Sequence, residues 1–151
     1  MEELAASSAF LEGRVTYELM EAYWPTADQD PDADPPMVEF AGIWRGMPKI
    51  VYSRTLDTPG PNATVVRDVV PEEVRALQAL PGGAMVVGGP VLAEAFRRHD
   101  LIDEYRIFVN PVLVGHGRQI FGPGQEPADL RLLETRAFPN GVVMLRYERV
   151  R

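Results

Sequence analysis

The chain contains no cysteine, which excludes a disulfide framework, a cysteine-based zinc site and thiol catalysis together. Histidine is nearly as scarce. The two present, His99 and His116, are too few and too far apart to argue for a metal site. Lysine occurs once, at Lys49. The arginines are scattered, with no block of five or more like charges. With 22 acidic and 15 basic residues the formal net charge is −7, and such a surface repels phosphate backbones. No nucleic-acid partner is expected, although a few arginines suffice to hold a small anionic ligand. No apolar run approaches the roughly 20 residues of a membrane-spanning helix. The acidic start, Met1-Glu2-Glu3-Leu4, lacks the layout of a signal peptide. The expectation is a soluble cytoplasmic protein with no membrane partner.

What is present is ordinary globular material: 151 residues, 46% hydrophobic and 25% charged. That length fits one domain and buries a core without metal or disulfides. One segment is biased. Residues 25–36 carry four prolines and four aspartates, Asp28, Asp30, Asp32 and Asp34, with no apolar periodicity, and read as an exposed loop. Alternating aspartates also suit a calcium loop, but the glycine turn and closing glutamate of that motif are missing.

Elsewhere short β runs alternate with helical stretches. Residues 2–11 look helical. A second helix starts after Gly13-Arg14, with Tyr17, Met20 and Tyr23-Trp24 on one face until Pro25 stops it. Residues 49–53, 63–67, 84–87 and 105–109 read as strands. Pro71-Glu72-Glu73 opens a helix with proline and acids in its first turn, and Val74, Leu77 and Leu80 form its stripe. Pro90 opens another, with Val91, Leu92, Ala95 and Phe96 facing inward. Residues 130–138 and 142–149 are β runs joined by Pro139-Asn140-Gly141, a strong hairpin signal. In the second run Val143, Leu145 and Tyr147 alternate with Met144, Arg146 and Glu148. The predicted fold class is α/β: a central, mostly parallel sheet flanked by helices, with a C-terminal antiparallel hairpin.

Ligands of open α/β sheets bind beyond the carboxyl ends of the strands, and three turns have suitable chemistry. Gly88-Gly89-Pro90 lies between a strand and a helix, where glycines let a backbone approach a pyrophosphate and the helix N-terminus offers free N–H groups. A tight turn explains the same pair equally well. In Gly13-Arg14-Val15-Thr16 the threonine can cap the helix or meet phosphate, and Arg14 adds a planar donor fork. Ser53-Arg54 follows a strand and suits a phosphate monoester, though alone it is an ordinary strand end.

Their order is more specific than any one of them. Gly-Arg-x-Thr-Tyr-Glu, then Lys-Ile-Val-x-Ser-Arg, then Val-Val-Gly-Gly-x-x-Leu resembles the dihydrofolate reductase superfamily. The stretch from Leu101 through Val109-Asn110-Pro111 to His116-Gly117, followed by Ile120-Phe121-Gly122, is similar to its bacterial branch related to the reductase domain of riboflavin biosynthesis. The resemblance covers nearly the whole chain. It implies a dihydrofolate reductase-like α/β fold, NADPH as cofactor and a homodimer. Carried over, it implies that Gly13, Arg14 and Thr16 meet the cofactor's phosphates, and that Ser53 and Arg54 contact the adenosine 2′-phosphate region. Gly88 and Gly89 would line the pyrophosphate, with Val91 and Leu92 beginning the next helix and Val87 near the nicotinamide. Members of the family begin with a further central strand and a Ser-Leu-Asp-Gly loop. Here the twelve residues before Gly13 match the helix preceding that turn, so the single domain 1–151 is expected to lack that N-terminal strand.

The expected activity is NADPH-dependent reduction of a small heterocycle, pterin- or pyrimidinone-like, by hydride transfer, with catalytic residues unassigned. Asp103 and Glu104 read as solvated or paired with arginine, and His116 as an exposed loop residue. Trp24 and Trp44 suit either a pocket wall or the core, and Tyr17 reads as packing. The alternative is a non-catalytic NADPH-binding or dimeric relative of the same fold.

Overall fold

A computed structural model describes all residues, 1–151. The chain forms two compact units, residues 1–95 and 96–151.

The first unit is built on four parallel strands in the order β3-β2-β1-β4. They are β1 (Ala9–Gly13), β2 (Lys49–Tyr52), β3 (Ala63–Val66) and β4 (Met85–Gly88). The expectation of a helix over 2–11 is corrected. Only α1 (Glu2–Ala5) is helical, and Ala9–Gly13 is a central strand paired on both sides. An apolar run as short as Ala9-Phe10-Leu11 does not distinguish helix from strand by periodicity. Its two parallel neighbours decide the matter by satisfying its backbone on both edges.

Registers place Phe10, Lys49, Ala63 and Val86 in one row across the sheet, and Glu12, Val51, Val65 and Gly88 in the next. Both rows point toward α2 (Arg14–Tyr23) and α3 (Pro35–Gly46). There Phe10, Tyr17, Trp44, Met47 and Val51 form the core cluster, with Phe40 and Trp24 against it. Rings pack closely: Phe10 lies 5.7 Å from Trp44, and Trp24 lies 4.4 Å edge-on from Phe40. Both tryptophans are therefore accounted for by packing.

The proline- and aspartate-rich stretch is more ordered than its composition suggests. Residues Trp24–Gln29 form a 3-10 helix. The Asp34 carboxylate accepts from the Met37 N–H and caps α3, which carries prolines in its first turn. Asp28 receives two hydrogen bonds from the Arg45 guanidinium, at 2.7 and 3.0 Å. Those bonds hold its carboxyl below the ordinary range. Helix α4 (Pro71–Gln78) begins at its proline as expected. Val74 is buried, but Leu80 lies outside the helix and is exposed. Helix α5 (Pro90–Arg98) buries Leu92 and Phe96, four residues apart on one face. Val91 points to solvent, 65% exposed, against the expectation that it faces inward.

The second unit carries an antiparallel sheet in the order β5-β7-β6: β5 (Glu104–Val109), β6 (Leu130–Ala137) and β7 (Val143–Arg149). The hairpin lies where Asn140-Gly141 predicts it, with Gly141 at φ +87°. In β7 the most buried residue is Met144, on the face opposite Val143, Leu145 and Tyr147. Glu104 accepts from Arg106 and Arg146, whose hydrogen bonds and charge hold its carboxyl low. Asp103 pairs with Arg151. His116 is exposed. Strands β4 and β5 are edge strands of separate sheets.

Candidate functional site

Because β1 pairs with both β2 and β4, the carboxyl ends of these three strands lie side by side. Gly13 is in register with Tyr52, and Glu12 with Gly88. In-register parallel pairing thus brings the turns at 13–16, 53–56 and 88–90 to one end of the sheet, the place where α/β sheets receive ligands.

Gly13 is the N-cap of α2, extended at φ −74° and ψ 164°, with no side chain capping the helix. Thr16 is therefore not the cap that its position suggested. It stands against the third turn instead. A Cβ built on Gly89 would lie 2.5 Å from Thr16 Oγ1, and Gly89 has φ +90°. Only glycine fits there, on both counts.

Arg14 ties the first turn to the second. Its Nη1 donates to Thr55 Oγ1 at 2.7 Å, and its Nε donates to Glu18 at 2.9 Å. Thr55 lies 3.5 Å from the Ser53 hydroxyl. That hydroxyl accepts from the N–H groups of Thr55 and Leu56, at 3.2 and 3.0 Å. Ser53 is buried and shapes its own turn. Arg67, just past β3, braces the same loop by donating to the carbonyls of Ser53 and Leu56. Arg54 points outward, with its side chain 80% exposed, and pairs with Asp68 at 2.6 Å. A surface ion pair of this kind is worth at most about 1 kcal/mol.

Of the residues singled out from the sequence, Gly13, Arg14, Thr16, Ser53, Gly88 and Gly89 meet at this end of the sheet. Arg54 extends outward from it. Val87 pairs with Leu11, on the face opposite the Glu12–Gly88 row. Leu92 is in the core and Val91 in solvent. Sequence reasoning missed Thr55, Arg67 and Glu12. The signal for Glu12 was a charged residue ending an apolar strand, which the helical reading of 2–11 concealed.

Glu12 is 4% exposed, and its Oε2 has no hydrogen-bond partner. Burial pushes its carboxyl up to about 7, opposed by the Lys49 ammonium and reinforced by Glu21. Burial also pulls Lys49 down, against the pull of Glu21 and Glu12. The Lys49 ammonium donates to the Trp44 carbonyl and sits 4.6 Å over the Trp44 ring. Trp44 Nε1 in turn donates to Glu21 at 2.8 Å. Glu12 and Thr16 are the polar groups of a cavity of about 230 Å³, walled by Phe10, Met20, Phe40 and Val86.

A parallel sheet with Gly-Arg-x-Thr, Ser-Arg and Gly-Gly turns at adjacent strand ends, followed by an antiparallel sheet, defines a dihydrofolate reductase-like fold. Within that class the chain belongs to the RibD C-terminal domain family, whose model matches residues 1–144. It is 32% identical over 138 residues to the uncharacterized protein YyaP of Bacillus subtilis (strain 168), covering 91% of this chain and 71% of that one. Two solved structures share the fold. One is a protein from Shewanella sp. PV-4 named for riboflavin biosynthesis, with TM-score 0.75 and 19% identity over 99% of this chain and 78% of that one. The other is a pyrimidine reductase-like protein from Corynebacterium diphtheriae NCTC, with TM-score 0.56 and 14% identity over 98% and 78%. Membership of this family assigns the chain a reductase fold. No helix is long and apolar enough to cross a membrane.

Proposed function

We propose that the protein is an NADPH-dependent reductase of a small pterin- or pyrimidinone-like heterocycle. The observation that carries this reading is the convergence of the three turns at the carboxyl ends of β1, β2 and β4. Gly13, Arg14 and Thr16 are read as the phosphate contacts, Gly88 and Gly89 as the pyrophosphate lining, and Ser53 with Arg54 as the 2′-phosphate end. Val87, Val91 and Leu92 flank the third turn. Bound NADPH supplies hydride; the chain's part is to bind, orient and shield from water. Arg14 and Arg54 bring charge on guanidinium forks that match phosphate oxygens, and both are held by exposed carboxylates that yield readily. Gly88 and Gly89 let the backbone approach without side chains in the way. Fluorescence titration tests the cofactor: NADPH quenching of Trp24 and Trp44 emission, or sensitised NADPH emission, with weaker response to NADH, is expected. No NADPH binding, or equal affinity for both nucleotides, defeats the reading.

The same proposal includes a homodimer formed through the second unit. Phe108, Val109, Leu113, Leu132 and Leu133 are exposed around its antiparallel sheet, and β5 offers an open strand edge. Exposed apolar side chains and an open strand edge suit an interface between copies of the chain.

A further inference from the structure

Glu12 and Gly88 are register partners across the β1–β4 pair, and the carboxyl lies directly against the glycine. A Cβ on Gly88 would meet Glu12 Oε1 at 3.4 Å and its Cγ at 3.6 Å. Gly88 opens the third turn, whose next residue, Gly89, is fitted to Thr16. The acid is thus packed against the backbone that the proposed cofactor's pyrophosphate approaches. It is 4% exposed and its Oε2 has no hydrogen-bond partner, so a charge on it is screened far less than one at the surface.

The groups around Glu12 fix the net charge of its surroundings. From β2 comes the Lys49 ammonium, held by the Trp44 carbonyl and ring. From α2 come the Glu21 carboxylate, which accepts from Trp44 Nε1, and the Tyr17 hydroxyl, which accepts from the Gly60 N–H at 2.8 Å. Strand β4 contributes Val86 and Gly88, and α3 contributes Phe40, none of them titratable. With Glu12 neutral, the charges of Lys49 and Glu21 cancel. With Glu12 ionised, the cluster carries one net negative charge beside the turn. Burial holds the acid neutral up to about pH 7.

We propose that Glu12 makes the third turn pH-sensitive: the neutral acid admits an anion at Gly88–Gly89, and the carboxylate repels it. The proposal rests on the reading of that turn as the pyrophosphate lining. Glu12 itself touches no ligand and passes no proton to one. By linkage the effect is reciprocal. An anion settling on the turn makes Glu12 harder to ionise, so binding near neutral pH draws up to one proton from solvent onto the carboxyl. Affinity is full below pH 7 and falls as pH rises above it. The loss is roughly tenfold, as for one unit charge within about 10 Å at an effective dielectric constant near 20.

The test is calorimetric titration of the full chain with NADPH from about pH 5.5 to 9, on wild type and Glu12→Gln, a window that brackets the titration of Glu12. A phosphate monoester such as the cofactor's 2′-phosphate titrates near about pH 6, and the ratio of the two proteins' affinities removes that contribution. Wild type is expected to lose roughly tenfold relative to Glu12→Gln across the window. Near neutral pH, buffers of different ionisation enthalpy should reveal more proton uptake on binding by wild type than by Glu12→Gln. A constant affinity ratio, or equal proton uptake, overturns the proposal and leaves the cofactor reading standing. If Glu12→Gln does not fold, proton uptake by wild type decides. Absence of NADPH binding at every pH defeats the cofactor reading, and inorganic pyrophosphate then serves as the probe. Pyrophosphate affinity that falls with pH in wild type relative to Glu12→Gln sustains the present proposal, and no such fall, or no binding, overturns it.

Discussion

Thr16 Oγ1 stands 2.5 Å from where a Cβ on Gly89 would be, so the first and third turns are fitted to each other across the β1–β4 pair. Gly89→Ala meets two obstacles, the Thr16 hydroxyl and a φ of +90°. The expected loss of stability is about 1–3 kcal/mol, the range for a non-glycine residue held in that region, read from urea unfolding. Combining it with Thr16→Ala relieves the clash and leaves the backbone strain. The double variant should therefore recover part of the loss, and strict additivity would count against a direct fit.

Arg54 lies outside the bonded network of the turns and pairs with Asp68. Arg54→Ala should leave the thermal midpoint nearly unchanged, because an exposed pair contributes at most about 1 kcal/mol. NADPH affinity should fall about 10- to 150-fold, the worth of a charge-assisted hydrogen bond, with NADH affinity little altered. Equal weakening of both nucleotides would remove Arg54 from the 2′-phosphate end.

Arg67 has the opposite character. Its guanidinium donates to two main-chain carbonyls, Ser53 and Leu56, at 3.1 and 2.7 Å. Arg67→Ala should cost about 1–3 kcal/mol through the carbonyls it leaves unmatched and weaken both nucleotides alike. Arg67→Lys should rescue poorly, since one ammonium does not reproduce the planar fork. Denaturation together with nucleotide titration reads both effects.

Glu12 makes stability depend on pH in an unusual direction. Its carboxyl is raised from 4.5 to about 7 in the folded chain by burial. The neutral acid is thus the form the fold favours. Its contribution is fully present below about pH 4.5 and is lost as pH rises through 7, by an amount on the order of 3 kcal/mol. Lowered carboxyls such as Asp100 and Glu104 act in the reverse sense, losing their contribution in acid. The informative quantity is therefore wild type minus Glu12→Gln, measured by urea unfolding from pH 4.5 to 8. The difference should move against wild type across that window, and a flat difference would show that Glu12 ionises freely.

The apolar surface of the second unit predicts self-association. Sedimentation at micromolar concentration should give twice the chain mass. Leu113→Asp, at a fully exposed position, should shift it toward one chain without changing the folded spectrum. A wild-type mass of one chain defeats the dimer.

Much of the fold was legible because its signals are local. Proline and acids opened α4, Asn140-Gly141 turned the hairpin, and apolar runs ended in glycine or serine at the strand ends. The reading failed where local preference was weak. Asp34 caps a helix through prolines that composition assigned to a loop. Residues 9–13 became a strand only because β2 and β4 flank them.

By itself the sequence determined the α/β class, the order of the turns and the glycine-rich, arginine-bearing chemistry they carry, since these depend on neighbours a few residues apart. Tertiary structure decided which turns meet. Parallel register put Gly13 beside Tyr52 and Glu12 between Val51 and Gly88, and tertiary packing joined Arg14 to Thr55 and buried Glu12. Those relations span about 40 to 80 residues of chain and arise from pairing between strands, which no local pattern of side chains encodes.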